Sequence, residues 1–84
     1  MGRGRRLPPL TARDLICVVK ADGWYEVKGT KHLAYKHPTK RGKVNIDAGW
    51  TAIQPSGPFY RSVLNQAGLS KREFENLYWK HCHG

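Results

Sequence analysis

The stretch Gly29-Thr30-Lys31-His32-Leu33-Ala34-Tyr35-Lys36-His37-Pro38 restricts the folds open to this chain. A glycine-led turn opens into a short run with a period of two, and a proline closes it. Side chains alternate across a strand, so Leu33, Tyr35 and His37 point to one side while His32, Ala34 and Lys36 point to the other. With Leu33 and Tyr35 toward a core, the sheet has one covered face and one open face, and His32 stands on the open one between lysines. Two neighbouring segments repeat the pattern. Trp24 to Lys28 alternates with Tyr25 and Val27 on one side, and Lys43 to Asp47 alternates with Val44 and Ile46 inward. A hairpin through Gly29-Thr30-Lys31 and a basic connection, Pro38-Thr39-Lys40-Arg41-Gly42, join them into a three-stranded antiparallel meander. Its expected core face is Tyr25, Val27, Leu33, Tyr35, Val44 and Ile46. Its expected open face is Trp24, Glu26, Lys28, His32, Lys36, Lys43 and Asn45.

Helices flank this sheet. Thr11 is placed to cap a helix from about Ala12 to Asp22, with Asp14 three residues later and Leu10 able to staple onto Leu15. Leu15, Ile16, Val18 and Val19 share its apolar face, and Gly23 follows where a left-handed stop is wanted. Cys17 falls opposite that face and reads as a surface or boundary cysteine. Residues 48–57 lack periodicity and read as a long loop. In that loop Trp50 either stacks a base or seals the edge of the core, and the second reading is favoured. Pro58 opens a second helix, with Phe59, Val63, Leu64 and Ala67 at helical spacing before Gly68. Ser70 and Glu73 form a further capping box, with Leu69 and Phe74 as staple. The third helix continues through Leu77, Tyr78 and His81. The fold class is therefore α+β, in a single domain over 10–84 preceded by a flexible basic tail over 1–9. The tail serves either as a phosphate-gripping arm or as a solvated terminus.

The 84 residues carry 15 Lys and Arg against six Asp and Glu, a net charge of +9, which draws polyanions and makes nucleic acid the default partner. An acidic protein covering the same face is the other partner class that charge allows. Two cysteines, Cys17 and Cys82, are too few and too far apart to read as a disulfide framework, which points to a cytoplasmic protein. No apolar run has signal-peptide or membrane-spanning length, so no membrane role is expected.

Cleaving RNA without a metal requires a base for the 2′-hydroxyl proton and cations to hold the phosphate as charge builds. His32 suits the first task, since an exposed histidine is substantially neutral near pH 7. Lys28, Lys31, Lys36 and Lys43 suit the second. From periodicity alone the favoured reading of His32 is a surface histidine that merely begins a strand, and the lysines also read as a solvated face. His37 reads as a strand-end residue. His81, Cys82 and His83 are consecutive and cannot easily converge on one ion, so no metal and no cofactor is expected.

Taken together, Asp22-Gly23-Trp24, the Gly29-Thr30-Lys31-His32 turn, His37-Pro38, and Leu64-Asn65-Gln66-Ala67-Gly68-Leu69-Ser70 before Glu73-Phe74 resemble the HicA toxin family over about Leu10 to Leu77. The resemblance implies an α-β-β-β-α fold like that of double-stranded-RNA-binding domains, with helices on one face of the sheet and here an extra C-terminal helix. It also implies an mRNA interferase: a metal-independent endoribonuclease that cleaves single-stranded mRNA and is inhibited by a HicB-type antitoxin. The family's histidine falls on His32, and Gly29 matches the glycine of the turn that presents it. Where family members carry a proline-histidine segment after the third strand, this chain has Asp47-Ala48-Gly49-Trp50. The alternative, of a different class, is a non-catalytic RNA-binding module that uses the same basic sheet face.

Overall fold

The structure is a computed structural model, and residues 7–27, 33–47 and 49–82 are described. Thr11 caps the first helix, α1 (Ala12–Ala21), as its sequence predicts. The Thr11 hydroxyl accepts the Asp14 N–H, and the Asp14 carboxylate accepts the Thr11 N–H at 3.0 Å. At the other end Gly23 adopts φ +106°, the Gly23 N–H donates to Lys20 O, and the Trp24 N–H donates to Val19 O. This paired closure needs a residue that tolerates positive φ. Leu15, Val18 and Val19 are fully buried, and Ile16 packs beside them.

Three short strands follow, β1 (Tyr25–Val27), β2 (Leu33–Lys36) and β3 (Val44–Ile46), in the order β1-β2-β3 and antiparallel throughout. The register pairs Glu26 and Val44 with Tyr35, and Tyr25 with Lys36. Cross-strand partners share a face, so Glu26, Tyr35, Val44 and Ile46 lie on the core side, while Tyr25, Val27, Ala34, Lys36 and Asn45 lie on the other. This corrects the expected phase of β1. Trp24 is buried, whereas Tyr25 is 50 % exposed. Trp24 turns inward because its backbone closes α1 and its indole N–H donates to the Asp22 carboxylate at 3.0 Å, which takes the larger ring into the core. Glu26 stays exposed at the uncovered margin of the core face, where its charge joins burial in raising the Tyr35 pKa. The alternation in β2 and β3 is as expected for Tyr35, Val44 and Ile46, and the Leu33 side chain lies outside the described ones.

The segment expected as a loop is pinned at Trp50 and Ile53. Leu10 and Ile53 exchange backbone hydrogen bonds, and Trp50 O accepts the Ala12 N–H, so residues 50–53 close over the start of α1. Leu7, expected in the flexible tail, also packs against the core. The second helix, α2 (Pro58–Ala67), begins on proline and ends at Gly68 in the left-handed region. The third, α3 (Lys71–Leu77), is capped reciprocally by Ser70 and Glu73 and widens into a π-helical turn over Tyr78–Cys82. Phe74 and Tyr78 are buried there, whereas His81, expected on the apolar side, is exposed. The bonds to Ser70 hold the Glu73 carboxyl below its usual range.

One core cluster joins α1, the covered face of the sheet, α2 and α3. The described residues thus form an α+β fold with an open three-stranded antiparallel sheet and three helices. Cys17, expected as a surface or boundary cysteine outside any disulfide framework, is partly buried and is bonded to Cys82 across 65 residues, which staples α1 to the C-terminal turn. Sequence spacing hid this pairing because only the packing of α3 along α1 brings the two together.

Two outcomes are expected. Reducing the disulfide, or replacing both cysteines with serine, should lower stability by about 4 kcal/mol, the loop-closure entropy of a link this long. Thermal melts with and without reductant, checked by intact mass, measure it. Tyr60 is buried with its hydroxyl unpartnered among the described residues, and burial, aided by the Glu75 charge, pushes its pKa up to about 12. The folded state therefore holds this proton more tightly than the unfolded chain, and the stability so gained is lost as pH rises from about 10, the ordinary tyrosine value, toward about 12. Tyr60→Phe should keep or raise stability at neutral pH, by about 1 kcal/mol, and flatten the alkaline loss in urea titrations run across that range.

Candidate nucleic-acid interface

Asp22, at the end of α1, gathers the surroundings of the basic face. Its carboxylate accepts the Trp24 indole N–H and the Lys40 ammonium, the latter at 2.7 Å. Its carbonyl accepts a hydrogen bond from His37 Nε2 at 2.9 Å. The donor role follows from the other ring nitrogen: Nδ1 accepts the Thr39 and Lys40 N–H groups at 3.1 and 3.2 Å, so the proton of a neutral ring sits on Nε2. The His37 ring also meets Trp24 edge-on at 5.2 Å. Both nitrogens are committed to holding the turn, which agrees with its reading as a strand-end residue.

Lys40 reaches further. Its ammonium also donates to Ala67 O at 3.0 Å, placing a cation at the negative end of α2. From the same helix Gln66 accepts the Asn45 N–H of edge strand β3 at 2.8 Å. The segments Asp22-Gly23-Trp24, His37-Pro38 and Gln66-Ala67 are therefore parts of one assembly that fixes how the sheet sits on α1 and α2. Their work in the described structure is positional.

Beside this assembly lies a shallow depression of about 420 Å³ lined by Tyr25, Lys36, His37, Lys40, Gly42 and Lys43. Lys36 and Lys43, both expected to contact phosphate, are exposed there. Lys36 stands on the free face of β2 opposite Tyr25, and Lys43 directly precedes β3. No carboxylate among the described residues lines the depression. Its neighbour Asp22 is engaged with Lys40, so Lys36 and Lys43 supply the uncommitted charge. The other expected site residues, His32, Lys28, Lys31 and Gly29, lie outside the described residues. Tyr25, expected in the core, is a wall of the depression. The clue in the sequence was Gly23-Trp24 directly after a helix, a closure that commits the first aromatic inward and leaves the second outward.

Trp50 stacks on Phe59, with centroids 4.5 Å apart and planes 4° from parallel, while packing against the core. It seals the core edge, as favoured. No group of His, Cys, Asp and Glu able to hold a metal occurs among the described residues. Comparison with known proteins finds no matching family model, no matching curated protein and no matching solved structure.

A Cβ on Gly23 would lie 2.8 Å from His37 Nε2, in a backbone conformation that alanine resists. Gly23→Ala should therefore cost about 2 kcal/mol, and less in a His37→Ala background, where the obstructing ring is gone. A double-mutant cycle by urea unfolding measures the difference; equal costs in both backgrounds would show that the ring contact contributes nothing.

Proposed function

We propose that the protein is a toxin ribonuclease of the HicA type, with a fold like that of double-stranded-RNA-binding domains, that cleaves single-stranded mRNA without a metal. The observation that carries this reading is the free sheet face. Lys36 and Lys43 stand exposed on it beside a depression lined by no carboxylate among the described residues, and the strand that bears Lys36 begins immediately after His32 in the sequence. The resemblance of the surrounding motifs to the HicA family supports it further, as does the net charge of +9.

His32 takes the 2′-hydroxyl proton as general base, the 2′-oxygen attacks the adjacent phosphorus, and the P–O5′ bond breaks, giving a 2′,3′-cyclic phosphate and a 5′-hydroxyl end whose proton comes from water. Lys28, Lys31, Lys36 and Lys43 hold the phosphate as negative charge accumulates, and Gly29 serves the turn before the histidine. Of the two described histidines, the His37 ring is fully engaged and His81 stands exposed on the C-terminal turn rather than in the depression, so neither competes for this role. A HicB-type antitoxin inhibits the enzyme by covering the basic face.

This activity belongs to the cytoplasm, where mRNA is available and where the Cys17–Cys82 pair would be held as thiols. Burial of Phe74 and Tyr78 attaches the C-terminal helix to the core independently of that bond. No helix among the described residues is long and apolar enough to cross a membrane.

The test is incubation of wild type and His32→Ala with labelled single-stranded RNA in EDTA, following fragment size and the cyclic phosphate end. Wild type should cleave, and His32→Ala, with an unchanged circular-dichroism spectrum, should lose at least about 10²-fold in rate. Cleavage by a folded His32→Ala protein at the wild-type rate would refute the assignment. Equal RNA binding without cleavage by either would leave a non-catalytic RNA-binding module.

A further inference from the structure

We infer that Tyr25 is a base-stacking platform, and that the depression beside it is a one-nucleotide subsite for unpaired RNA: the base lies on the Tyr25 ring and the flanking phosphates lie against Lys36 and Lys43. The inference rests on the proposed RNA reading for its ligand class, but not on cleavage.

Tyr25 and Phe59 are the two large apolar side chains left about half exposed among the described residues. Phe59 has one ring face covered by Trp50. Tyr25 has no ring contact among the described residues, and its register sets it on the free face directly opposite Lys36. Partners in such a pair have β carbons about 5 Å apart, so an aromatic surface and a cation are offered side by side. At the far wall Gly42 has φ +81°, and a Cβ built there would meet nothing within 4 Å, which leaves open space in front of Lys43. The volume of about 420 Å³ falls within the range of small-ligand sites, roughly 300 to 1,000 Å³, and suits one nucleotide rather than a duplex.

The combination discriminates between polyanions. Lysines alone would receive any acidic surface or the phosphates of a duplex, whereas a tyrosine ring gains only from a flat partner with a free face. Paired bases keep their faces stacked on one another. Single-stranded RNA supplies both elements at the spacing of one nucleotide, and base-on-aromatic stacking is tolerant of sequence. The outward phase of β1 thus has a use: with Trp24 taken by the core, the second aromatic is free for a base.

The experiment measures the affinity of the full chain, in the His32→Ala background so that RNA survives, for a short single-stranded RNA carrying 2-aminopurine and for a duplex of matching sequence. Tyr25→Leu should weaken single-strand binding about tenfold and abolish the quenching of 2-aminopurine, with little change for the duplex. Tyr25→Phe should behave like the parent. Lys36→Gln and Lys43→Gln should each weaken binding and flatten its salt dependence by about 0.7 in the logarithmic slope, with quenching retained at saturating RNA. Circular dichroism checks folding; Tyr25 is half exposed, so the leucine variant should fold. Parent-like affinity and quenching in Tyr25→Leu would overturn the inference. Tyr25-dependent quenching would sustain it even if the wild type proves unable to cleave RNA, so its failure and that of the nuclease reading are separable.

Discussion

The Asp22 carboxylate and carbonyl hold together parts of the chain that have no other reason to meet. One carboxylate oxygen serves the Trp24 indole and the Lys40 ammonium, and the carbonyl serves His37. These contacts fix the exit of α1, the entry of β1 and the connection between β2 and β3. Through Lys40 and Ala67 O they also reach the end of α2. The ion pair is partly exposed and worth little as a charge pair alone. Its weight comes from geometry: the Asp22 side chain binds the indole that sets the phase of β1, and the Asp22 backbone binds the ring that folds the basic connection. Without those anchors, three strands of three or four residues would have few contacts to choose a register.

The helices were legible because each carries its own punctuation. Thr11 with Asp14, Ser70 with Glu73, Pro58 at a start and Gly23 and Gly68 at ends act within one turn, and local chemistry of that kind survives any tertiary context. The inward phases of β2 and β3 were legible because Val44 and Ile46 flank the polar Asn45 and the large Tyr35 stands between the small Ala34 and the charged Lys36. In β1 the sequence Trp-Tyr-Glu-Val offers an aromatic to either face. Three residues of period two cannot break that tie, and a contact from Asp22, outside the strand, breaks it. The same limit explains the disulfide. Nothing near Cys17 or Cys82 announces a partner, and their meeting depends on α3 running back along α1. The pinned course of residues 50–53 was hidden likewise, since its partners are Leu10 and Ala12.

For the candidate site, Lys36 and Lys43 were readable as outward lysines because their strands alternate cleanly. Tyr25 was not, and its misplacement follows directly from the misread phase. The motifs that most resemble a known family, apart from the turn bearing His32, turn out to be joints of the scaffold. Gly23 leaves room for the His37 ring, and Gln66 occupies an N–H on the edge of β3. Joints of this kind hold a scaffold compatible with several activities, which leaves the free face as the part able to distinguish among them.

Two kinds of lysine line the depression beside the free face. Lys40 has its charge answered by Asp22 and by the end of α2, and it contributes to holding the fold. Lys36 and Lys43 have no such answer among the described residues, and in a chain of net charge +9 they add to a self-repulsion that opposes the compact state. A polyanion laid across the face removes that repulsion and releases its own counterions, so part of the binding energy is stored in the unliganded protein as unfavourable charge. The strands need not move to receive it, because the joints around Asp22 already hold them. A sheet with two cations and one aromatic ring unpartnered among the described residues is thus organised before any ligand arrives, and ordering costs would fall mainly on the ligand of the proposed site.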